Sequence, residues 1–201
     1  LGVQIGVHKQ MAHRSFETRN LTRRILAFLS ILSGQGSPIT WVAVHMSAHH
    51  PNYDTEKDAH SPKDGRFYAF LSWYWKVDVR KIKYGVAKQY IKDPTLVFLH
   101  NYHSYIIFLY WSLLLIFGIE FLFYLGLLPA VLSICCAGFV NSFMHYEGNI
   151  SKFIFGKYQN HGGDQTYNSI ILGLITMGLG LHNNHHHDQS RHYYNEKWYE
   201  I

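Results

Sequence analysis

The longest apolar run in this 201-residue chain reads YIIFLYWSLLLIFGIEFLFYLGLLPAVLSICCAGFV, from Tyr105 to Val140. It extends over 36 residues and contains one charged side chain, Glu120. As a single helix it would be about 54 Å long, whereas the hydrocarbon core of a bilayer is about 30 Å thick. Gly118, Gly126 and Pro129 interrupt its middle. The pattern therefore predicts two membrane helices that form a hairpin, with the turn between Glu120 and Pro129.

Two other apolar segments are too short or too broken to cross a bilayer cleanly. Residues 25–44 contain Gly34, Gly36 and Pro38, and residues 170–181 number only 12. The first segment is expected to lie in the membrane interface or to re-enter the membrane. Residues 51–92, ahead of the hairpin, are polar and hold nine Lys and Arg. The positive-inside rule places this stretch, and with it both ends of the hairpin, in the cytoplasm.

The composition excludes several classes of protein. Charged residues make up 15% of the chain and aromatic residues 16%, whereas about 25% of a typical soluble domain is charged. A disordered chain and an ordinary soluble enzyme are both disfavoured. The net charge of +5 suits an anionic membrane surface or an acidic electron-transfer partner, and it is too small to indicate nucleic acid binding.

Histidine is unusually frequent, with 15 His against 13 Asp plus Glu. Most of these histidines cluster beside the apolar segments, together with one asparagine. The candidate metal ligands are His8, His13, His45, His49, His50, Asn141, His145, His182, His185 and His186. A lone histidine near a helix end is usually structural, and we interpret His60, His100, His103, His161, His187 and His192 in that way.

The spacings within these clusters have a geometric meaning, because residues three or four positions apart share one face of a helix. Three sets have this spacing: His182 with His185 and His186, Asn141 with His145, and His45 with His49. His8 and His13 are five apart and converge less well on an ideal helix. Nine imidazoles and one amide exceed the ligands of a single ion, so the pattern predicts two metal ions.

The ligand type narrows the choice of metal. Imidazole ligands suit iron, zinc, copper or nickel, whereas structural zinc sites prefer a mixture of Cys and His. The two cysteines, Cys135 and Cys136, lie inside the apolar run, away from the clusters. Two ions in a shell of imidazoles favour a redox pair, and iron is the usual choice for activating O2. A non-enzymatic metal carrier is the alternative, although a carrier would place ionisable residues within its membrane spans.

Four motifs in this order resemble the membrane fatty acyl desaturases, the stearoyl-CoA desaturase-like family of integral di-iron enzymes. They are HKQMAHRSF at residues 8–16, WVAVHMSAHHPNYDTEKDAHSP at 41–62, VNSFMH at 140–145 and GLHNNHHHD at 180–188. The resemblance implies an all-α integral membrane bundle of four transmembrane helices with a cytosolic helical cap that carries the dimetal site. It also implies that residues 1–201 are a single desaturase domain, a fragment without the N-terminal transmembrane helices and the C-terminal tail.

The resemblance implies a division of the ligands between two iron ions. One ion would take His8, His13, His50 and His186, with Asn141 reaching it through a water. The other would take His45, His49, His145, His182 and His185.

The family's acyl chain lies in a kinked tunnel, and the resemblance places Gln35 and Trp41 at the kink. Anchoring at the membrane interface is an equally good interpretation of Trp41. Met46 and Ser47 stand where basic residues often hold the phosphates of CoA, so a lipid-linked acyl chain fits as well as an acyl-CoA. Leu179 replaces an acid that often precedes the last motif.

The implied function is O2-dependent desaturation, which inserts a cis double bond into a fatty acyl chain. Cytochrome b5 or ferredoxin would supply the electrons, docking on the basic stretch Lys76–Lys92, although contact with anionic lipid explains that stretch more simply. The active site would face the cytoplasm, at the endoplasmic reticulum of a eukaryote or the inner or thylakoid membrane of a bacterium. A hydroxylase or ketolase built on the same histidine motifs is the enzymatic alternative.

Overall fold

The computed structural model describes residues 1–53, 55–146 and 148–200, and their regular structure is helical apart from isolated antiparallel bridges that pair Asn168 with Tyr158 and with Leu181. The all-helical prediction is confirmed for these residues. The helices, some of which change their winding along the way, are Gly2–Ala12, Asn20–Ile31, Pro38–Val44, His45–His49, Pro62–Asp64, Tyr68–Ser72, Trp73–Lys76, Val79–Lys81, Tyr84–Ala87, Lys88–Ile91, Pro94–Phe117, Ile119–Phe121, Leu122–Leu127, Leu128–Phe139, Val140–Met144, Asn149–Phe155, Ile170–Ile175 and His182–His187.

The chain divides into two units. Unit one comprises Leu1–Ser47 and Asp78–Ile134, and unit two comprises Ala48–Val77 and Cys135–Ile201. Each unit has its own buried apolar cluster, one around Met11, Ile31 and Leu96 and the other around Met144 and Leu172.

In unit one, the N-terminal helix Gly2–Ala12 packs closely against the helix Asn20–Ile31. Gly2 and Gly6 permit this approach, since a Cβ at either position would collide with the backbone or side chain of the second helix. The hydroxyl of Tyr90 donates a hydrogen bond to the carbonyl of Met11 at 2.6 Å and fixes the end of the first helix. The first histidine motif therefore lies on a well-anchored helix.

The hairpin turns earlier than the sequence predicts. The helix Pro94–Phe117 stops at Gly118, whose φ of 136° and ψ of 158° end the helix, and the next helix begins at Ile119. Glu120 therefore lies inside the second helix, as does Pro129. Ile119–Met144 is the one helix in the described part of the chain that is long and apolar enough to cross a membrane, with a mean hydropathy of 2.1.

Pro129 stays inside a helix because its neighbours compensate for the missing N–H group. The preceding segment Leu122–Leu127 is π-helical, and the N–H of Leu128 bonds to the carbonyl of Phe123, five residues back. The carbonyl of Leu125, four residues before the proline, accepts a hydrogen bond from the hydroxyl of Tyr110 at 2.9 Å. Proline has no N–H to donate to this carbonyl, so the tyrosine of the adjacent helix supplies the missing hydrogen bond.

We expect Tyr110→Phe to lower the free energy of unfolding by about 1 kcal/mol, because the carbonyl of Leu125 loses its donor. Unfolding of the detergent-solubilised protein measures this loss. Tyr105→Phe is the control, since that side chain lies on the same helix and is 72% exposed. In a Pro129→Ala background the restored N–H can bond to Leu125, and the cost of Tyr110→Phe should shrink. An undiminished cost in that background would contradict this explanation.

Candidate metal centre

Unit one gathers three of the predicted ligands, His8, His13 and His45, which we call the first histidine group. Nε2 of His13 lies 2.9 Å from Nε2 of His45. The ring of His8 stands edge-on to both, with centroids 4.7 and 4.8 Å away. All three side chains are buried.

The winding of the N-terminal helix explains how His8 and His13 come together. Gly2–Ala12 is π-helical, and the N–H of His13 bonds to the carbonyl of His8 at 3.0 Å, which is a bond between residues five apart. An α-helix would instead bring together residues that are three or four positions apart. The five-residue spacing of His8 and His13 matches the π-helical winding of this helix. Arg14, the next residue, has a φ of +51° and ends the helix.

Gln35 and Trp41, the predicted substrate-binding residues, are directly linked in unit one. The indole N–H of Trp41 donates to Oε1 of Gln35 at 3.1 Å. The amide of Gln35 donates to the hydroxyl and the carbonyl of Ser133, at 2.9 and 3.1 Å. The indole also packs 4.7 Å from the ring of His45. This chain of contacts joins the first histidine group to the second hairpin helix. No sequence pattern indicated the part played by Ser133.

Unit two gathers the other six histidines, which we call the second histidine group: His49, His50, His145, His182, His185 and His186. Nε2 of His182 lies 2.8 Å from Nε2 of His145 and 3.1 Å from Nε2 of His186. With His49 these three form a set whose ligand nitrogens all lie within 4.8 Å of one another. His50 and His185 meet His186 in a second such set.

Burial keeps several of these rings in the form that binds metals. It lowers the pKa of His182 and His186 well below the usual value, and neighbouring imidazoles act in the same direction. In the first group, burial lowers the pKa of His13 to about 4. A neutral imidazole offers a lone pair, whereas a protonated one cannot ligate a metal. These three histidines are therefore neutral at physiological pH, ready to act as ligands.

The division of these ligands between two ions stays a prediction. His45 lies with His8 and His13 in unit one. His186 shares one nitrogen cluster with His49, His145 and His182, and another with His50 and His185.

Comparison with known proteins identifies the family. Residues 1–196 match the sequence model of the family described as fatty acid desaturase. The chain belongs to the fatty acid desaturase family. It is 30% identical to the sn-1 stearoyl-lipid 9-desaturase of Anabaena variabilis, over the whole chain and 71% of that protein. It is 28% identical both to the Delta-9 acyl-lipid desaturase 2 of Arabidopsis thaliana and to the acyl-CoA C20 Delta5-desaturase of Anemone leveillei, covering 64% and 62% of these proteins.

These relatives confirm the resemblance on which the sequence interpretation depends. They indicate an oxidoreductase of fatty acid metabolism, and the buried histidine clusters fit metal binding. The chain spans about two thirds of the length of the curated relatives that it matches.

The last histidine motif of this desaturase-family chain lies on a helix of only six residues, His182–His187. Such a short helix is not stable on its own. Its two asparagines, Asn183 and Asn184, are completely buried and hold it in place. Asn183 accepts the N–H groups of Asn160 and His161, both at 2.9 Å, and donates to the carbonyl of His161 at 2.9 Å.

Asn184 uses both donors and both lone pairs of its amide. Its oxygen accepts from the amides of Asn160 and Asn168, at 2.9 and 2.7 Å. Its nitrogen donates to the carbonyl of Tyr194 at 2.7 Å and to Oε2 of Glu200 at 3.0 Å. The adjacent ring nitrogens of the motif are thereby held in a fixed orientation.

Glu200 closes this network from the C-terminal segment. Burial alone would raise the pKa of its carboxyl, but hydrogen bonds from backbone N–H groups, Tyr158 and Asn160 lower it. The hydroxyl of Tyr158 donates to Oε1 at 2.7 Å, and the backbone N–H of Lys197 donates to Oε2 at 3.0 Å. The carboxylate therefore keeps its charge inside the protein.

His145 follows the end of the second hairpin helix, where buried Lys157 supports the chain. The ammonium of Lys157 donates to the carbonyl of Phe143 at 2.9 Å and also to that of Tyr146, on either side of His145. A cation at this place complements the partial negative charge of a helix C-terminus.

Asn141 lies one turn before His145, on the π-helical segment Val140–Met144. Its amide nitrogen is 3.5 Å from the carbonyl of Ala69. The expected contact with a metal through a water stays a prediction.

Several histidines that we interpreted as structural have protein partners. Nδ1 of His100 contacts the hydroxyl of Ser37 at 2.5 Å, and His161 pairs with Glu196 at 2.7 Å. His161 also stacks on His187 in parallel, 3.6 Å between centroids.

We expect Asn184→Ala to cost about 2–4 kcal/mol of unfolding free energy, because three buried hydrogen-bonding groups and one half-buried group lose their partner. Chemical unfolding of the metal-free protein measures this cost. Asn195→Ala is the matched control, because Asn195 is an exposed asparagine eleven residues after Asn184. It should change stability by less than about 0.5 kcal/mol. Equal stability of the two variants would show that the network does not anchor the motif.

Proposed function

We propose that this chain is the catalytic part of an O2-dependent fatty acyl desaturase, which inserts a cis double bond into the acyl chain at a pair of iron ions. The single observation that carries the proposal is the convergence of buried ring nitrogens within each unit, on a chain that matches the desaturase family. In this proposal residues 1–201 form one desaturase domain.

The residues fit a metal ion. The Nε2 atoms of His145, His182 and His186 approach one another to 2.8 and 3.1 Å, a spacing that leaves more lone pairs than protons at one point. A metal ion accepts all of these lone pairs at once. His49 and His50 extend this ligand set in unit two, and the first histidine group offers a set in unit one.

The chemistry explains why a metal is needed. The methylene C–H bond of an acyl chain is too strong for an acid or a base to attack, and iron with O2 supplies the oxidant that removes two hydrogens. The protein's own part is to hold the ligands in orientation, exclude competing reactions and position the acyl chain. In this interpretation histidine serves as a ligand, and no Ser, Cys or Lys acts as a nucleophile.

Gln35 and Trp41 are proposed to position the acyl chain in unit one. The indole of Trp41 lies beside His45 and is fixed by Gln35, which Ser133 fixes in turn. This anchoring by protein favours a tunnel wall over a role at the membrane surface for Trp41. The matching relatives include one named as an acyl-lipid desaturase and one named as an acyl-CoA desaturase. Product analysis therefore has to decide whether the acyl chain is linked to a lipid or to CoA.

The proposed setting is a membrane, with the metal centre on the cytoplasmic side. The helix Ile119–Met144 is compatible with membrane association. Electrons would come from cytochrome b5 or ferredoxin, and the basic segment after Lys76 offers exposed cations such as Lys83. We also propose the architecture that the family resemblance implies, a bundle of four transmembrane helices with a cytosolic helical cap.

Expression of the full-length protein in a host that lacks unsaturated fatty acids tests the function. We expect a new monounsaturated acyl chain in the lipid extract, and His145→Ala should abolish it because a central ligand is lost. His192→Ala is the matched control, since His192 is exposed, and it should retain most of the activity. An added oxygen in place of the double bond would identify a hydroxylase or ketolase. Activity that survives His145→Ala would contradict the ligand assignment.

We expect the purified protein to hold two iron ions per chain, and His13→Ala or His182→Ala each to lower the iron content to about one or less. The reason is that these residues belong to different histidine groups. Elemental analysis of protein of known concentration measures the content. Unchanged iron in both variants, with native stability, would rule out the two groups as the iron site.

A further inference from the structure

Asp58 is a buried carboxylate that touches one of the proposed ligands. Its side chain is fully enclosed and lies in unit two, in the C-terminal part of the motif at residues 41–62. Oδ1 and Oδ2 of Asp58 lie 3.0 and 3.1 Å from Nδ1 of His49. The side chain of His49 is itself only 1% exposed.

The loop around Asp58 is held by several contacts, so this approach is built into the fold. Oδ1 of Asp58 also accepts the backbone N–H of His60 at 3.2 Å. The hydroxyl of Tyr68 donates to the carbonyl of Ala59 at 3.0 Å. The ring of His60 covers that of His49, with the centroids 4.2 Å apart.

A carboxylate at Nδ1 decides which nitrogen of His49 can bind a metal. A carboxylate can only accept a hydrogen bond, so Nδ1 of His49 must carry the proton. The lone pair is then on Nε2, and the imidazole becomes a stronger donor because the carboxylate polarises the N–H bond. His49 belongs to the same nitrogen cluster as His145, His182 and His186.

We infer that Asp58 is a positioning residue of the metal centre, which fixes the tautomer and ring orientation of His49 so that Nε2 faces the metal. This inference rests on the proposed metal-binding function of the second histidine group. Asp58 does not touch the substrate or the metal in this role and acts through His49. His60 acts as a cover, since its ring packs between His49 and the indole of Trp73, whose centroid is 5.0 Å away.

A separate cation bound by His49, Asp58 and His60 is the competing interpretation, because their ligand atoms also lie within 4.8 Å of one another. Nδ1 of His49 is at hydrogen-bond distance from the carboxylate, whereas Nδ1 of His60 is 3.8 Å from it. A hydrogen bond from His49 accounts for the close pair without an ion. Removing Asp58 would also remove such a cation, so metal stoichiometry separates the two interpretations.

The test is titration of the metal-free full-length protein with Co²⁺, whose visible absorption reports both the affinity and the ligand geometry. We expect Asp58→Asn to weaken binding about 10-fold and Asp58→Ala by up to about 100-fold, since loss of an outer carboxylate has effects of this size. The number of ions bound at saturation should stay the same. Asp64→Asn, at an exposed carboxylate six residues further on, is the matched control and should bind like the wild type.

A double-mutant cycle tests whether Asp58 acts through His49. In a His49→Gln background, Asp58→Asn should have no further effect on Co²⁺ affinity, because the imidazole that it orients is absent. An equal loss in both backgrounds would overturn the inference, and so would unchanged affinity in the single variant. One ion fewer at saturation would favour the separate cation and overturn it as well.

The design separates this inference from the proposed function. A wild-type protein that binds no Co²⁺ and forms no double bond would overturn both. Normal wild-type binding with normal binding by Asp58→Asn would overturn only the role of Asp58. Thermal unfolding of each metal-free variant checks folding, and the nearly isosteric Asp58→Asn carries the test if Asp58→Ala does not fold.

Discussion

The nitrogens of buried imidazoles face one another in this protein, and most of the polar structure around them serves to keep them there. Nε2 of His182 lies within hydrogen-bond distance of Nε2 of both His145 and His186. One ring nitrogen holds either one proton or one lone pair, so Nε2 of His182 cannot form a full hydrogen bond to both, and burial lowers the pKa of His182 and His186 and disfavours a second proton on either ring. The arrangement is therefore frustrated as a set of hydrogen bonds and satisfied as a set of metal ligands.

This constraint explains why the scaffold beyond the histidines is rich in amides. The helix that carries the last motif has six residues, too few to form unaided. Buried hydrogen bonds from Asn183 and Asn184 replace the stability that a longer helix would have. At the end of the second hairpin helix, Lys157 plays the corresponding part beside His145. In unit one the packing of two helices through Gly2 and Gly6 holds the first motif instead.

Much of this could be predicted from the sequence, because helix periodicity and ligand chemistry are local properties. The apolar hairpin, the clustering of the histidines and the family all follow from residues that lie close together in the chain. The spacing rule succeeded for His182 and His186, which are four apart and do converge. Spacing fixes the face of a helix that a residue shares, but not the neighbour towards which its ring turns. The pairing of His8 with His13 depends on π-helical winding, and the turn at Gly118 depends on a backbone angle.

The roles of Ser133, Asp58 and Asn184 depend on contacts between residues distant in the sequence, which one sequence does not reveal.

Charge balance explains why buried carboxylates lie close to the proposed metal ligands. Neutral imidazoles bring no negative charge to a buried cation, so the compensating charge must come from beyond the ligands. No acidic side chain is among the ten candidate ligands. Two buried carboxylates in unit two can supply the charge: Asp58 bonds directly to His49, and Glu200 bonds to Asn184 between the histidines of the last motif. Hydrogen bonds keep the pKa of Glu200 low despite its burial, so its negative charge persists inside the protein. An all-imidazole ligand shell can thus hold multiply charged ions, because the fold places its anions one hydrogen bond further out.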